Sequence, residues 1–299
     1  MSTSNGLLLI DKPKGMTSHD VVARVRLSMG ERRVGHAGTL DPMATGLLVL
    51  AVGPSTRLLR FAQSETKRYE GVVTLGVATD SLDADGAVVD RRDVPPLTSE
   101  AVNAEAQRML GPQFQTPPMV SAIKVKGQRL HALARAGVEV EREARAIDVT
   151  AFALTPTKEA NEWRFDVTCS VGTYVRVLLS DLAERLGTIG HLSALRRLSS
   201  GEHHVDDALT LDRLDERLRG GETVLKPPRA FVAQLATIVV TRDDERCLRM
   251  GQRVALDGPT EGEVAAVSER GSLVAVIRRR GDSWQPAVVL PDEENAEHG

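Results

Sequence analysis

One acid, Asp41, stands in a run of residues, 35–50 (GHAGTLDPMATGLLVL), whose types and order suit chemistry. Gly35 and Gly38 permit tight backbone, Asp41-Pro42 starts a turn, and from Gly46 to Val52 the chain is almost wholly apolar. The pattern predicts a loop that carries a carboxylate and opens into a buried strand. Asp41 then has two readings. In one it is a turn aspartate that hydrogen-bonds its own backbone ahead of a proline. In the other it is a nucleophile or base at the mouth of a rigid strand, where His36, Thr39 and the glycines leave room for a ligand to approach closely.

The elements that must hold this loop can be read from periodicity. A strand is expected over 6–10, a turn at Lys12-Pro13-Lys14-Gly15, and a helix capped by Thr17 or Ser18 that runs to about Met29 with Val21, Val22 and Val25 on one face. Pro54 begins a second helix with Leu58, Leu59 and Ala62 inward. Residues 68–78 alternate like a half-exposed strand, 83–86 turn, and a helix capped at Thr98 or Ser99 is stopped by Gly111-Pro112. Strands are expected over 147–153, 163–169 and 191–199. Between the last two, Thr173 caps a helix with Val175, Leu178, Leu179, Leu182 and Leu186 at helical spacing. Strands and helices mix without strict β-α-β alternation, which predicts an α+β fold with a mixed sheet. After Gly201 come an acidic helix over 209–218, a Gly220-Gly221 break and a Pro227-Pro228 stop. A small β-rich unit follows, with a helix over 243–250. The expected division is a catalytic domain over 1–228 and a small domain over 229–299.

At 299 residues, 41% hydrophobic and 26% charged, the chain has the make-up of an ordinary globular protein with a large core. Its two cysteines, Cys169 and Cys247, lie far apart, so neither a disulfide framework nor a zinc site is expected, and a reduced cytoplasmic setting is the simplest inference. No apolar run is long enough for a spanning helix. A net charge of -3 argues against a nucleic-acid binder, but the charge is unevenly spread: residues 1–70 carry ten Lys/Arg against six Asp/Glu, while 202–222 carry seven acids against three arginines. Such runs fit either an RNA-facing surface with an acidic rear or plain solvated faces. Residues 111–145, with six basic residues and three prolines, read equally as a surface hairpin or a nucleic-acid contact, with a short helix expected over 130–136.

The spaced motif G-x-x-G-x-L-D-P-x-A-x-G-x-L, at Gly35, Gly38, Leu40, Asp41, Pro42, Ala44, Gly46 and Leu48, resembles the catalytic motif of TruB-type tRNA pseudouridine synthases. Further matches follow in family order: DKPKGMTSHD at 11–20, KRYEG at 67–71, TDSLDADG at 79–86, CSVGTYVR at 169–176 and LSALRRLSSG at 192–201. The resemblance is strong over about 6–205. Beyond that it is weaker, where the C-terminal unit resembles a PUA-like RNA-binding domain. It implies isomerisation of uridine 55 in the tRNA T arm to pseudouridine, by a monomer without cofactor, metal or obligate protein partner.

On this resemblance Asp41 is the catalytic carboxylate. Tyr69 stacks on the flipped base and handles the C5 proton, Tyr174 shapes the pocket floor, Arg176 pairs with Asp41, and Leu195 lines the uracil pocket. His36 wedges into the RNA loop, Asp83 helps position substrate, and Lys12 with Pro13 buttresses the catalytic loop. Residues 111–145 would be the insertion that closes over the RNA. Val171 departs from the polar or basic residue that relatives often carry in C-S-x-G-T-Y. Two other functions stay open: a non-catalytic RNA-binding or tRNA-folding module on the same scaffold, and a guide-dependent synthase acting on ribosomal RNA.

Overall fold

A computed structural model of the chain describes residues 4–63, 66–119, 124–125, 128–129 and 140–292. In chain order these form β1 (Gly6–Lys12), α1 (Ser18–Met29), β2 (Val34–Ala37), β3 (Thr45–Val52), a 3-10 turn over Gly53–Leu58, α2 (Leu59–Gln63), β4 (Lys67–Leu75), β5 (Val77–Thr79) and β6 (Val88–Arg91). Then come α3 (Ser99–Arg108), β7 (Gly111–Gln115), the short pair β8 (Lys124–Val125) and β9 (Gln128–Arg129), β10 (Arg145–Pro156), β11 (Glu162–Cys169), α4 (Val175–Arg185), β12 (Gly190–Ser200) and β13 (His203–His204). The chain ends with α5 (Leu211–Arg219), β14 (Thr237–Val240), α6 (Arg242–Arg249), β15 (Glu263–Ser268), β16 (Leu273–Arg280) and β17 (Ser283–Val289). The fold is α+β, as expected. The chain divides into two compact units: Met1–Asp41, Leu47–Ser64 and Val205–Gly299 in one, Pro42–Gly46 and Glu65–His204 in the other.

In the first unit β3 is apolar at successive positions because both of its faces are covered. Leu47, Val49 and Ala51 join Leu7 and Leu9 of β1, Leu58, Phe61, Phe231, Val232, Ala265, Val276 and Leu290 in one cluster. Leu48, Leu50 and Val52 join Leu8 and Ile10, the α1 residues Val21, Val22 and Val25, and Leu214 of α5 in another. The two-residue period of a strand deals alternate side chains to the two cores. α1 starts on a capping box: Thr17 Oγ1 accepts from Asp20 N–H at 3.1 Å and Asp20 Oδ2 accepts from Thr17 N–H at 2.8 Å. The Thr17 hydroxyl, which also donates to Asp20 Oδ2 at 2.7 Å, and then the Thr17 N–H hold the Asp20 carboxyl below the usual range. α1 is tied to α5 where Ser28 Oγ and Arg24 both donate to Asp215. Residues 237–289 of the same unit form a four-stranded sheet ordered β14-β15-β16-β17, parallel at its first pairing and antiparallel after. Trp284 is buried there and its indole N–H donates to Leu256 O at 2.9 Å.

In the second unit the antiparallel order is β12-β4-β11-β10-β7. α3 is stitched to β10 by Asn103, which donates to Leu154 O at 2.8 Å and accepts from Leu154 N–H at 2.9 Å. α4 buries Leu178, Leu179, Leu182 and Ala183.

Several local expectations change. Residues 35–37 are not loop but part of β2, antiparallel to β3 with His36 opposite Leu50; two glycines had hidden a short strand that is completed by its neighbour. The helix expected at Pro54 opens as a 3-10 turn. The strand expected over 68–78 breaks at Gly76, whose φ of +85° turns the chain so that 77–79 pairs with β6 instead. The cap of α4 is Tyr174, not Thr173. The first residues of the 111–145 stretch form β7, with Gln115 opposite Arg145. The helix expected over 130–136 lies outside the described residues.

Candidate active site

Asp41 closes the first unit's leading segment, and the backbone before it is pinned. The buried Ser18 hydroxyl, at the start of α1, accepts from Leu40 N–H at 2.9 Å and lies 3.2 Å from Leu40 O, which it reaches as donor. Ser18 was legible in the sequence only as a helix cap; its side chain in fact reaches 22 residues along the chain. Lys12, fully buried, donates from Nζ to Pro13 O at 3.0 Å and to Met16 O at 2.6 Å, which folds the 12–16 turn that delivers Thr17 and Ser18. A buried ammonium stays charged at modest cost only when such carbonyls replace its water. His36 is half-buried on β2 and meets His19 edge to face, with centroids 5.4 Å apart.

Pro42–Gly46, directly bonded to Asp41, belongs to the second unit. Thr45 Oγ1 donates to Leu195 O at 3.4 Å, and Arg196 and Arg197 of β12 run parallel to Thr45 and Gly46. Gly46 has φ +97°, and a Cβ there would strike the backbone N and O of Arg197. A Gly46→Ala substitution therefore combines left-handed strain with a backbone clash. It is expected to cost more than ~2 kcal/mol, seen as a lowered midpoint in urea, together with a loss of rate. An unchanged midpoint would show that the β3–β12 junction tolerates displacement.

Leu195 is 8% exposed and lies opposite Gly71, while Tyr69, also 8% exposed, sits on β4 between Val167 and Arg197. Asp83 and Arg176, which the sequence assigned separate tasks, form one buried ion pair: Nη1 lies 3.6 Å from Asp83 Oδ2, and the side chains are 7% and 3% exposed. Arg176 also donates to Ser81 O at 2.8 Å. The Asp83 carboxylate accepts from Ser81 Oγ at 2.6 Å and from Asp85 N–H at 3.1 Å. The 82–84 turn exchanges backbone hydrogen bonds with Leu192 of β12, three residues before Leu195. Tyr174, half-buried, is gripped through its backbone by Gln115, which sequence reasoning missed. Val171, the departure from the motif, is solvent-exposed.

Cys169 is fully buried, and burial pushes its thiol up to about 11 despite the nearby Thr173 hydroxyl and Lys67 charge, so it is no nucleophile near neutral pH. Among the described residues no His, Cys, Asp or Glu group could hold a metal ion, and no helix is long and apolar enough to cross a membrane. The first unit thus carries a carboxylate on a pinned loop, and the second, within itself, a buried arginine-aspartate pair.

The family model for the TruB family pseudouridylate synthase N-terminal domain matches residues 26–175, and the model for the tRNA pseudouridine synthase II C-terminal domain matches 235–291. tRNA pseudouridine synthase B of Thermobifida fusca is 41% identical over 294 residues, covering 96% of this chain and 99% of the relative. The chain belongs to the TruB family of pseudouridine synthases. The Opitutus terrae protein of the same name is 49% identical over 211 residues, 71% of this chain and 87% of its own. Among solved structures, an H/ACA ribonucleoprotein bound to a substrate RNA containing 2'-deoxyuridine shares the fold of this TruB-family enzyme. Its TM-score is 0.74 at 20% identity, covering 97% of this chain and 86% of that one. At that identity the likeness speaks for the fold alone.

Proposed function

We propose that this pseudouridine synthase acts on tRNA and converts the uridine at position 55 of the T arm, with Asp41 as the catalytic carboxylate. The observation that carries the reading is Asp41 itself, in the family's spaced motif on a backbone clamped by Ser18 at Leu40. The relatives named tRNA pseudouridine synthase B support tRNA as substrate, at about 40–49% identity.

The reaction breaks the N1–C1′ glycosidic bond, rotates the uracil and forms a C5–C1′ bond. The C5 proton is lost to a base and N1 gains one. A carboxylate serves as nucleophile or base in this sequence, and no electron leaves the system, so no redox partner is needed. The target base must leave its stack, at a cost of a few kcal/mol that a stacking surface offsets. Tyr69 is the proposed stacking surface and proton handler, Tyr174 and Leu195 the walls of the uracil pocket, and Asp83 and Lys12 the supports. His36 enters the RNA loop. Arg176 supplies the cation that favours an ionised Asp41. Residues 111–145 and the small domain over 229–299 add phosphate contacts, which position the RNA without reading it.

Release of tritium from C5-labelled uridine in a T-arm stem-loop tests the reading. Catalytic release by the chain alone is expected. Binding without release would favour a non-catalytic module, and release only with an added guide RNA would favour action on another RNA.

A further inference from the structure

Gln115 is the last residue of β7 and is only 5% exposed. Its side-chain amide closes two bonds on one residue 59 positions away: Oε1 accepts from Tyr174 N–H at 2.7 Å, and the NH2 donates to Tyr174 O at 3.1 Å. Tyr174 is the N-cap of α4, a position usually held by Ser, Thr, Asp or Asn. A tyrosine cannot fold its own oxygen onto the first turn, and no side-chain cap is present. The start of α4 is fixed from outside, by the sheet edge. Two residues on, Arg176 reaches Ser81 O and Asp83, and the 82–84 turn is bonded to β12 beside Leu195. One buried amide therefore holds the register between β7 and the helix end from which both Tyr174 and Arg176 project.

We propose that Gln115 is a positioning residue for pseudouridine formation, holding the first turn of α4, and with it Tyr174 and Arg176, where the uridine is processed. The inference rests on the reading of Tyr174 and Arg176 as pocket residues. Its physical basis is that misplacement by about 1 Å of groups that orient a substrate costs rate out of proportion to binding, on the order of 100-fold.

Two variants test it, each followed by single-turnover rate, hairpin affinity and thermal melting. Gln115→Met keeps the length and loses both bonds. Its rate is expected to fall at least about tenfold while hairpin affinity stays within about threefold. Gln115→Glu is the sharper probe. A neutral carboxylic acid offers one donor and one acceptor, like the amide it replaces, whereas the carboxylate only accepts. Burial raises the pKa of such a carboxyl. Both bonds are then present below that raised value and the donor is lost as pH rises through it, so the ratio of variant to wild-type rate should climb as pH falls. If Gln115→Met does not fold, this ratio decides alone. A folded Gln115→Met with wild-type rate, or a Gln115→Glu ratio independent of pH, overturns the inference. Tyr174→Ala at wild-type rate would instead sink the reading of that side chain while leaving the backbone anchor intact, and a wild-type enzyme inert on the hairpin would sink the proposed substrate.

Discussion

An Asp41→Asn enzyme is expected to bind the T-arm hairpin within a few fold of wild type and to release tritium at less than about one per cent of the wild-type rate. Binding and chemistry are separable halves of this effect. Asparagine keeps the shape of aspartate, and the loop is held by groups the change does not touch: Ser18 grips the backbone of Leu40, Lys12 folds the 12–16 turn, and Gly46 lies against the backbone of Arg197. Binding surface and fold should therefore survive. The amide has neither the negative charge nor the nucleophilic or basic oxygen, so nothing in its place can attack the nucleoside or remove a proton. Single-turnover kinetics with trapped hairpin separates the two halves. Residual turnover of several per cent would remove Asp41 from the chemistry and leave it a turn residue.

The second large effect concerns the pair of Arg176 and Asp83, both nearly excluded from water. Removing one member of a buried pair strands the other, at a typical cost of ~3–5 kcal/mol. Arg176→Met should fall toward the lower end, because the Asp83 carboxylate keeps the Ser81 hydroxyl and the Asp85 N–H as donors. Arg176→Lys should lie between methionine and wild type, since a single ammonium cannot present a planar fork to both Ser81 O and Asp83. Replacing both partners, as Arg176→Met with Asp83→Leu, should return most of the stability and none of the rate. Denaturant midpoints and tritium release, taken on the same samples, check this. A singly substituted Arg176→Met with an unshifted midpoint would show that water reaches the pair, and a doubly substituted enzyme with full activity would confine the pair to a structural role.

The parts of this molecule that the sequence disclosed are those with a local signature. β3 is an unbroken apolar run, α1 opens on a capping residue, Thr17 or Ser18, and α4 repeats leucines at helical spacing, so their bounds were found to within a residue or two. Asp41 stood out because an acid beside glycines and a core strand is unusual. The support around it left no such trace. Gln115 and Tyr174 are 59 residues apart, and Arg176 lies 95 from Ser81, distances at which nothing in the intervening pattern links them. Ser18 could be read as a cap because caps are local, but not as the clamp on Leu40. Gly35 and its neighbours looked like loop because intrinsic preference there is weak, and β2 exists through its pairing with β3.

The core shared by Leu7, Leu9 and Leu47 with Phe231, Ala265 and Leu290 also sets an order of events during synthesis. Residues 65–204 have their own sheet and helices and can close as soon as they emerge. The opening strands cannot bury their inner side chains until residues 205–290 have followed. At ribosomal speeds of about 5–20 residues per second the first-made strands wait many seconds with an apolar face uncovered. A newborn chain is then a finished middle flanked by unfinished ends, and a stop codon soon after residue 204 would leave the pinned loop that carries Asp41 attached to half a core.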